Sequence, residues 1–183
     1  YTKEGVALNR KLFARNDFLK ENVIELDFVT SDLGPYEKTF DCVYSFGFIE
    51  HFDAPLEIIN KHIHLLADRG TCVIVIPNLV GIYKWWNKVF NPSVERIHNL
   101  DLMRKGGFFR MVEGIPGVEV RVSSYFGLFD YGLLTHKGQF LAKSIISILY
   151  RTQFITNVLS RIISWLGWKS YVSPYQVVVI RKA

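Results

Sequence analysis

The chain has 183 residues, of which 49% are hydrophobic and 15% aromatic, and its formal net charge at pH 7 is +5. This length and hydrophobic content suffice for a domain with a buried core and exclude a disordered chain. Lysine and arginine form no long blocks and do not alternate with aromatic residues, so a nucleic-acid partner is not expected.

The first residues predict an amphipathic helix with Thr2 as its N-cap. No signal-peptide pattern is present at this end. Residues 23–28, VIELDF, are followed by the turn-forming TSDLGPYEK and predict a strand.

Residues 40–78 predict a strand, a helix and a second strand. The strands are FDCVYSF and TCVIVIP, and the intervening helix is expected to end at Gly70. Because a helical crossover connects them, the two strands should pair in parallel. Cys42 and Cys72 lie in these strands, so we expect buried thiols and a cytoplasmic protein, with neither a disulfide framework nor a metal pair.

Two more strands are predicted near residues 117–126 and 174–182. Between them, residues 139–168 have apolar side chains at helical spacing, interrupted by Lys143, Arg151 and Arg161. Three interpretations stay open for this segment: a lid over an apolar pocket, an interfacial helix on anionic lipid, or a helix packed on the core. Similarly, the aromatic residues 83–90 indicate either a substrate wall or a core-packing arm.

Residues 1–78 contain a series of short motifs. They are Phe40-Asp41, Val43 and Ser45 in one strand, Ile49-Glu50-His51 after its turn, LADRG after the helix, and Pro77-Asn78. Their order resembles that of class I S-adenosylmethionine-dependent methyltransferases, especially the type 11/12, ubiquinone-methyltransferase-like group. The resemblance implies an α/β, Rossmann-like sheet, mostly parallel with an antiparallel final strand, in a single domain. Residues 79–110 and 128–170 would be helical substrate-side insertions.

The sequence departs from the family pattern in two places. LADRG stands where the family has LKPGG, which keeps the glycine and loses the proline. The family's glycine-rich loop and the acidic residue of its second strand are missing. We therefore expect an N-terminally truncated methyltransferase that lacks its first strands, binds its cofactor poorly and is inactive by itself.

The resemblance also implies roles for five cofactor-binding residues. Asp27 would accept from the adenine amino group, Phe28 would pack on that ring, and Ser45, Phe46 and Gly47 would line the ribose and methionine side of S-adenosylmethionine. Asp32 competes with Asp27 for the adenine role. An Asp at a strand end also fixes turns, and any tight turn needs a Gly, so both structural alternatives stay open.

Glu50 and His51 are the predicted catalytic residues. An imidazole titrates near neutral pH and can take a proton from an acceptor as the methyl group transfers. The alternative is structural, with Glu50 favouring a helix start and His51 bonding across the loop. His98 is a second candidate base. His62 and His64, two residues apart on a helix, point to different faces, and no metal site is expected.

The predicted function is methyl transfer to a small, apolar or lipid-like acceptor. Two alternatives remain: another Rossmann enzyme such as a dehydrogenase, or a non-catalytic relative that binds a membrane or partner through residues 139–168. The sequence does not indicate the oligomeric state.

Overall fold

The computed structural model describes residues 3–16, 19 and 22–183, except for the side chain of Lys105. The chain divides into two compact units, residues 1–36 and 37–183. Among the described residues, no helix has both the length and the apolar character needed to cross a membrane.

The first unit contains helix α1, Lys3–Arg15, and a short 3-10 helix, Gly34–Tyr36. The predicted helix is confirmed, and its predicted N-cap, Thr2, lies outside the described residues. The strand predicted at residues 23–28 is wrong: these residues have no strand structure. A strand needs a hydrogen-bonded neighbour, and none of the strands in the described chain pairs with this segment.

The second unit is built on four strands: β1 Phe40–Phe46, β2 Leu66–Pro77, β3 Val118–Phe126 and β4 Tyr175–Lys182. Their order in the sheet is β1-β2-β4-β3. β1 pairs in parallel with β2, whereas β4 pairs antiparallel with both β2 and β3. Three strands therefore run in one direction and the final strand runs against them, which confirms the predicted α/β sheet.

The helices of this unit are α2 Pro55–Leu65, α3 Ile82–Phe90, α4 Leu100–Met103, α5 Gly107–Glu113, α6 Phe140–Arg151, α7 Gln153–Ile163 and α8 Lys169–Val172. The unit β1-α2-β2 confirms the predicted parallel pairing. Helix α2 ends at Leu65 and not at Gly70 as predicted, because Leu66 already has extended backbone angles and begins β2.

The main core lies on one face of the sheet. Ile74 and Cys72 of β2 are fully buried, as are their β4 partners Val178 and Ile180. Burial of each such side chain stabilises the fold by roughly 1.5–3 kcal/mol. Burial also raises the pKa of the Cys72 thiol to about 12, because a thiolate is poorly solvated there.

The prediction that Cys42 is buried is wrong. It is exposed and, like Cys72, a free thiol. The reason is the position of β1, which lies at an edge of the described sheet and leaves alternate side chains of one face open to solvent. Tyr44 and Phe46 are exposed on that same face.

A second, smaller core joins α3, a 3-10 helix at Tyr131–Leu133 and α6. Its fully or largely buried members are Tyr83, Trp86, Tyr131, Leu134 and Ala142. The prediction that residues 139–168 are helical is confirmed. They form α6, α7 and a π-helix, Ser164–Trp168, and the break between α6 and α7 falls at Thr152.

Candidate functional site

The turn after β1 places the predicted site residues at the carboxyl edge of the sheet. Gly47 has a φ of 62°, which favours glycine, and its N–H donates to the carbonyl of Val75 at 2.9 Å. A 3-10 turn, Ile49–His51, follows directly. This sheet edge is where open α/β proteins bind ligands.

Ser45, Phe46 and Gly47 end β1 and form this turn, as predicted. The Ser45 hydroxyl oxygen is buried and has no hydrogen-bond partner in the described chain. The Phe46 ring is 57% exposed and lies 5.0 Å from the Tyr175 ring of β4. Their part in cofactor binding stays a prediction.

Glu50 is a buried carboxyl group, only 1% exposed. Its Oε1 lies 3.7 Å from Nε2 of His51, and its Oε2 is buried without a hydrogen-bond partner in the described chain. Burial raises the pKa of Glu50 because the charged form is poorly solvated. Glu50 therefore keeps its proton to a higher pH than an exposed glutamate does.

His51 and His98 are brought together although they lie far apart in the sequence. Their ring centroids are 4.6 Å apart. The segment that carries His98 is tied to the turn by Asn99, whose N–H donates to the Glu50 carbonyl at 2.6 Å. Both candidate bases predicted from the sequence therefore belong to one site.

Both imidazoles are held by the same kind of contact. Nδ1 of His51 lies 2.7 Å from the Ile97 carbonyl, and Nδ1 of His98 lies 2.8 Å from the Val94 carbonyl. A carbonyl only accepts, so each Nδ1 carries the proton and each neutral ring keeps its lone pair on Nε2. Burial lowers the pKa of His98, which favours its neutral form.

A cavity of about 520 Å³ opens beside this cluster. It is lined by the turn and by the segment after α3, including Glu50, His51, Glu95, His98, Asp101 and Arg104. One ligating atom from each of Glu50, His51 and His98 lies within 4.8 Å of the other two. This oxygen and nitrogen set can accept protons or hold a divalent cation. The sequence did not predict this grouping.

Asp27 and Phe28 lie in the first unit, and their predicted contacts with a cofactor stay predictions. The Asp27 carboxylate accepts hydrogen bonds from the N–H groups of Val29 and Thr30, at 2.8 and 3.3 Å. The bond from Val29 contributes most to lowering the pKa of Asp27. Asp32 caps a turn in the same way, since it accepts from Gly34 at 2.9 Å. Turn geometry therefore does not separate the two candidates.

The other histidines lie apart from this site. His62 is buried on α2, and its Nδ1 contacts the Ile58 carbonyl at 2.7 Å. His64 lies at the surface, where Nε2 is 3.3 Å from a Glu37 carboxylate oxygen. The two rings point to different faces of α2, as their spacing predicted.

A second, apolar cavity of about 320 Å³ lies under α6 and α7. It is lined by Ile82, Trp85, Trp86, Phe129, Leu134, Ile145, Leu149, Thr156, Leu159, Ser160, Ile163 and Val172. The chain segments that line it follow β2, follow β3 or precede the antiparallel β4. The topology therefore brings them to the same sheet edge as Glu50 and His51. Tyr83 and Trp86 of the aromatic stretch belong to the second core, which confirms a core-packing role. Trp85 and Trp86 also line this cavity, and their part as a substrate wall stays a prediction.

The fold is similar to that of solved methyltransferases. One is a Bacillus halodurans protein assigned as a methyltransferase, with a TM-score of 0.58 and 13% sequence identity. The superposition covers 99% of this chain and 79% of the Bacillus protein. The fold resemblance is thereby confirmed. This chain has the class I S-adenosylmethionine-dependent methyltransferase fold.

Two further structures share this fold. Geranyl diphosphate methyltransferase, solved in complex with S-adenosylmethionine, has a TM-score of 0.52 and 10% identity over 99% of this chain and 65% of its own. The [4+2]-cyclase SpnF also has a TM-score of 0.52, with 13% identity over 99% of this chain and 63% of its own. No protein-family profile and no curated protein matches the sequence. The fold therefore accommodates more than one reaction, and the site must decide the function.

Proposed function

We propose that this protein transfers a methyl group from S-adenosylmethionine to a small acceptor with an apolar, lipid-like part. The observation that carries the proposal is a pair of buried oxygens, Ser45 Oγ and Glu50 Oε2, which have no hydrogen-bond partner among the described residues. They lie on the strand end and turn where open α/β sheets bind ligands. Buried polar atoms are normally hydrogen-bonded, so these two are suited to a polar ligand.

The residues present fit the cofactor. Ser45, Phe46 and Gly47 of the second unit would hold its ribose and methionine side. The cofactor, when bound, supplies an electrophilic methyl group attached to a positively charged sulfur. The exposed ring of Phe46 offers an aromatic face, which attracts cationic groups.

His51 is the proposed base. Its Nε2 lone pair would accept a proton from the acceptor's attacking atom, while the Ile97 carbonyl fixes the ring through Nδ1. The side chain is 41% exposed, so the proton can pass on to water. Glu50, whose unpartnered Oε2 is buried within the described chain, would orient a ligand through a hydrogen bond, and His98 is the second proposed base.

The apolar cavity would take the acceptor's apolar part. Its lining is almost entirely hydrophobic, and burial of apolar surface there favours a chain or ring system over a polar metabolite. Ser160 is buried in its wall and provides a place to narrow it.

The test is transfer of a labelled methyl group from S-adenosylmethionine into organic-extractable molecules of a cell extract, catalysed by the protein as its gene encodes it, with any residues that precede Tyr1. We expect label in the organic phase and a sharp loss with Ser160→Phe, which fills the cavity. Ser123→Phe, on an exposed position of β3, is the matched control and should keep wild-type transfer. Label confined to water-soluble products would contradict the apolar acceptor, and no transfer at all would contradict the enzyme.

The comparisons do not favour the dehydrogenase alternative. A dehydrogenase would bind a nicotinamide cofactor and a methyltransferase would not, so a binding measurement distinguishes these two functions. The non-catalytic alternative predicts membrane or partner binding without any methyl transfer.

A further inference from the structure

Helix α7 exposes a row of apolar side chains at the surface. Phe154 is 81% exposed, and Ile155, Val158 and Ile162 are exposed as well. These positions follow the spacing i, i+1, i+4 and i+8, which places them on one helix face. The opposite face carries Ser160, which is buried, and Ile163, which lines the apolar cavity. A surface helix of a globular protein normally has polar residues on its outward face, so the exposed apolar face of α7 is unusual.

The exposed apolar surface continues on both sides of α7. On α6, Phe140 is 85% exposed and Ile148 is 61% exposed. After α7, Trp165 in the π-helix is 84% exposed and Trp168 is 66% exposed. Soluble monomers rarely expose apolar patches this continuous without a binding role. We call residues 140–172 the docking segment.

Charge is distributed unevenly along the chain. Residues 131–183 contain seven lysines and arginines and neither Asp nor Glu, although the whole chain has 22 basic and 17 acidic residues. Four of the seven lie in the docking segment and are exposed: Lys143, Arg151, Arg161 and Lys169. None of the four forms an ion pair in the described part of the chain. A partner of this segment is therefore expected to be anionic.

We propose that the docking segment binds the surface of an anionic lipid bilayer. Its exposed leucine, isoleucine and phenylalanine side chains enter the boundary between head groups and acyl chains, and its basic side chains contact lipid phosphates. Trp165 and Trp168 have the amphipathic rings that are enriched at this boundary. The proposal does not depend on the methyl-transfer function.

Charge argues against a second copy of the chain as the occupant. In a symmetric dimer the same patch meets itself, so the two positively charged segments would face each other without acidic partners. Like charges placed opposite each other across an interface disfavour association. An anionic bilayer satisfies both the apolar and the basic side chains.

The test is flotation of the full-length protein with vesicles of phosphatidylcholine alone or mixed with phosphatidylglycerol, without any cofactor. We expect binding to the mixed vesicles that weakens with added salt, little binding to pure phosphatidylcholine, and a blue shift of tryptophan fluorescence. The double variant Phe154→Gln/Trp165→Gln should bind at least about tenfold more weakly. Both side chains are exposed, so folding should persist.

Charge is tested separately. Arg151→Gln/Arg161→Gln should weaken binding roughly thirtyfold, at about 1 kcal/mol for each charge near the surface. The control for the aromatic variant is Tyr44→Gln, because Tyr44 is 78% exposed and lies outside the docking segment. The control for the charge variant is Lys11→Gln/Arg69→Gln, which removes two exposed charges outside the segment. Both controls should bind like the wild type.

Three results would overturn the proposal. The first is a folded protein that ignores anionic vesicles. The second is binding that is equal for both vesicle types. The third is a stable dimer in sedimentation that Phe154→Gln/Trp165→Gln converts to monomers while vesicle binding is absent, because a second copy would then be the occupant.

Discussion

His51 and His98 show how backbone carbonyls can set the chemistry of a side chain. Each ring is fixed through Nδ1, so the basic nitrogen of each is Nε2. Fixing the tautomer and the ring orientation in advance lowers the cost of proton transfer. Which of the two rings acts as the base therefore depends on which Nε2 the acceptor can reach.

Removal of the proposed base gives the first prediction. His51→Gln should lower kcat by about a hundredfold while the KM for S-adenosylmethionine stays near its wild-type value, because general-base catalysis contributes at the transition state. Steady-state kinetics on a methyl acceptor measures both. The control is His64→Gln, an exposed histidine of α2. If His98→Gln is inactive and His51→Gln is active, the base has been assigned to the wrong ring.

Glu50 gives a pH-dependent prediction. Burial raises its pKa, so the folded protein holds this proton more tightly than the unfolded chain does. The free energy of unfolding should therefore fall as pH rises from the ordinary carboxyl range towards the raised pKa of Glu50. Glu50→Gln cannot ionise and should lose this part of the pH dependence.

Urea unfolding between about pH 4 and pH 8 tests the Glu50 prediction. Buried histidines also titrate in this range, so the informative quantity is the difference between wild type and variant at each pH. Glu57→Gln, at an exposed position of α2, is the control and should follow the wild type. Identical pH curves for wild type and Glu50→Gln would contradict the account.

At the scale of the elements, the connection from β2 to α3 depends on one glycine. Gly81 has a φ of +62°, and a Cβ there would clash with the carbonyl oxygen of Tyr171 in α8. No side chain fits at this position unless the backbone moves. The same corner is held by Asn78, whose amide donates to the Ser170 and Ser173 carbonyls.

Gly81→Ala should lower the free energy of unfolding by at least about 2 kcal/mol, because it combines backbone strain with a backbone clash. Gly117→Ala is a matched control, since Gly117 has a φ of +72° and nothing lies within 4 Å of the added Cβ. That control should lose only about 1 kcal/mol, from strain alone. Equal losses in urea denaturation would mean that the approach of α8 to Gly81 is not tight.

The four strands of the sheet could be predicted from the sequence. β1, β2, β3 and β4 were all found from their apolar runs and turn signals. The strand at residues 23–28 was predicted on the same grounds and is wrong, because a strand depends on a neighbour that local sequence does not reveal. The predicted end of helix α2 was too late for a similar reason. Leu66 pairs with Phe40 of β1 and therefore belongs to β2.

The site was partly predictable. Glu50 and His51 are adjacent in sequence and follow a strand, so their position at the sheet edge could be inferred. The contact of His51 with His98 could not, because it depends on how the segment after α3 returns to the turn. The exposure of the apolar face of α7 could not be inferred either, since periodicity locates an apolar stripe without showing what it faces.

At the scale of the whole molecule, the sheet edge of the second unit carries two cavities of opposite character. One is lined by Glu50 and the histidines and suits polar chemistry, whereas the other is apolar and lies beneath the docking segment. Residues 131–183, which include that segment, contain no acidic residue, so the charge around it is positive. An enzyme that draws an apolar acceptor from an anionic surface would combine all three features.

The most direct test of the central claim is calorimetric titration with S-adenosylhomocysteine and, separately, NADH. It should use the protein as its gene encodes it, with any residues that precede Tyr1. We expect binding of S-adenosylhomocysteine, none of NADH, and weaker S-adenosylhomocysteine binding by Asp27→Ala. A well-folded protein that binds neither ligand, or that prefers NADH, would contradict the assignment of this site to methyl transfer.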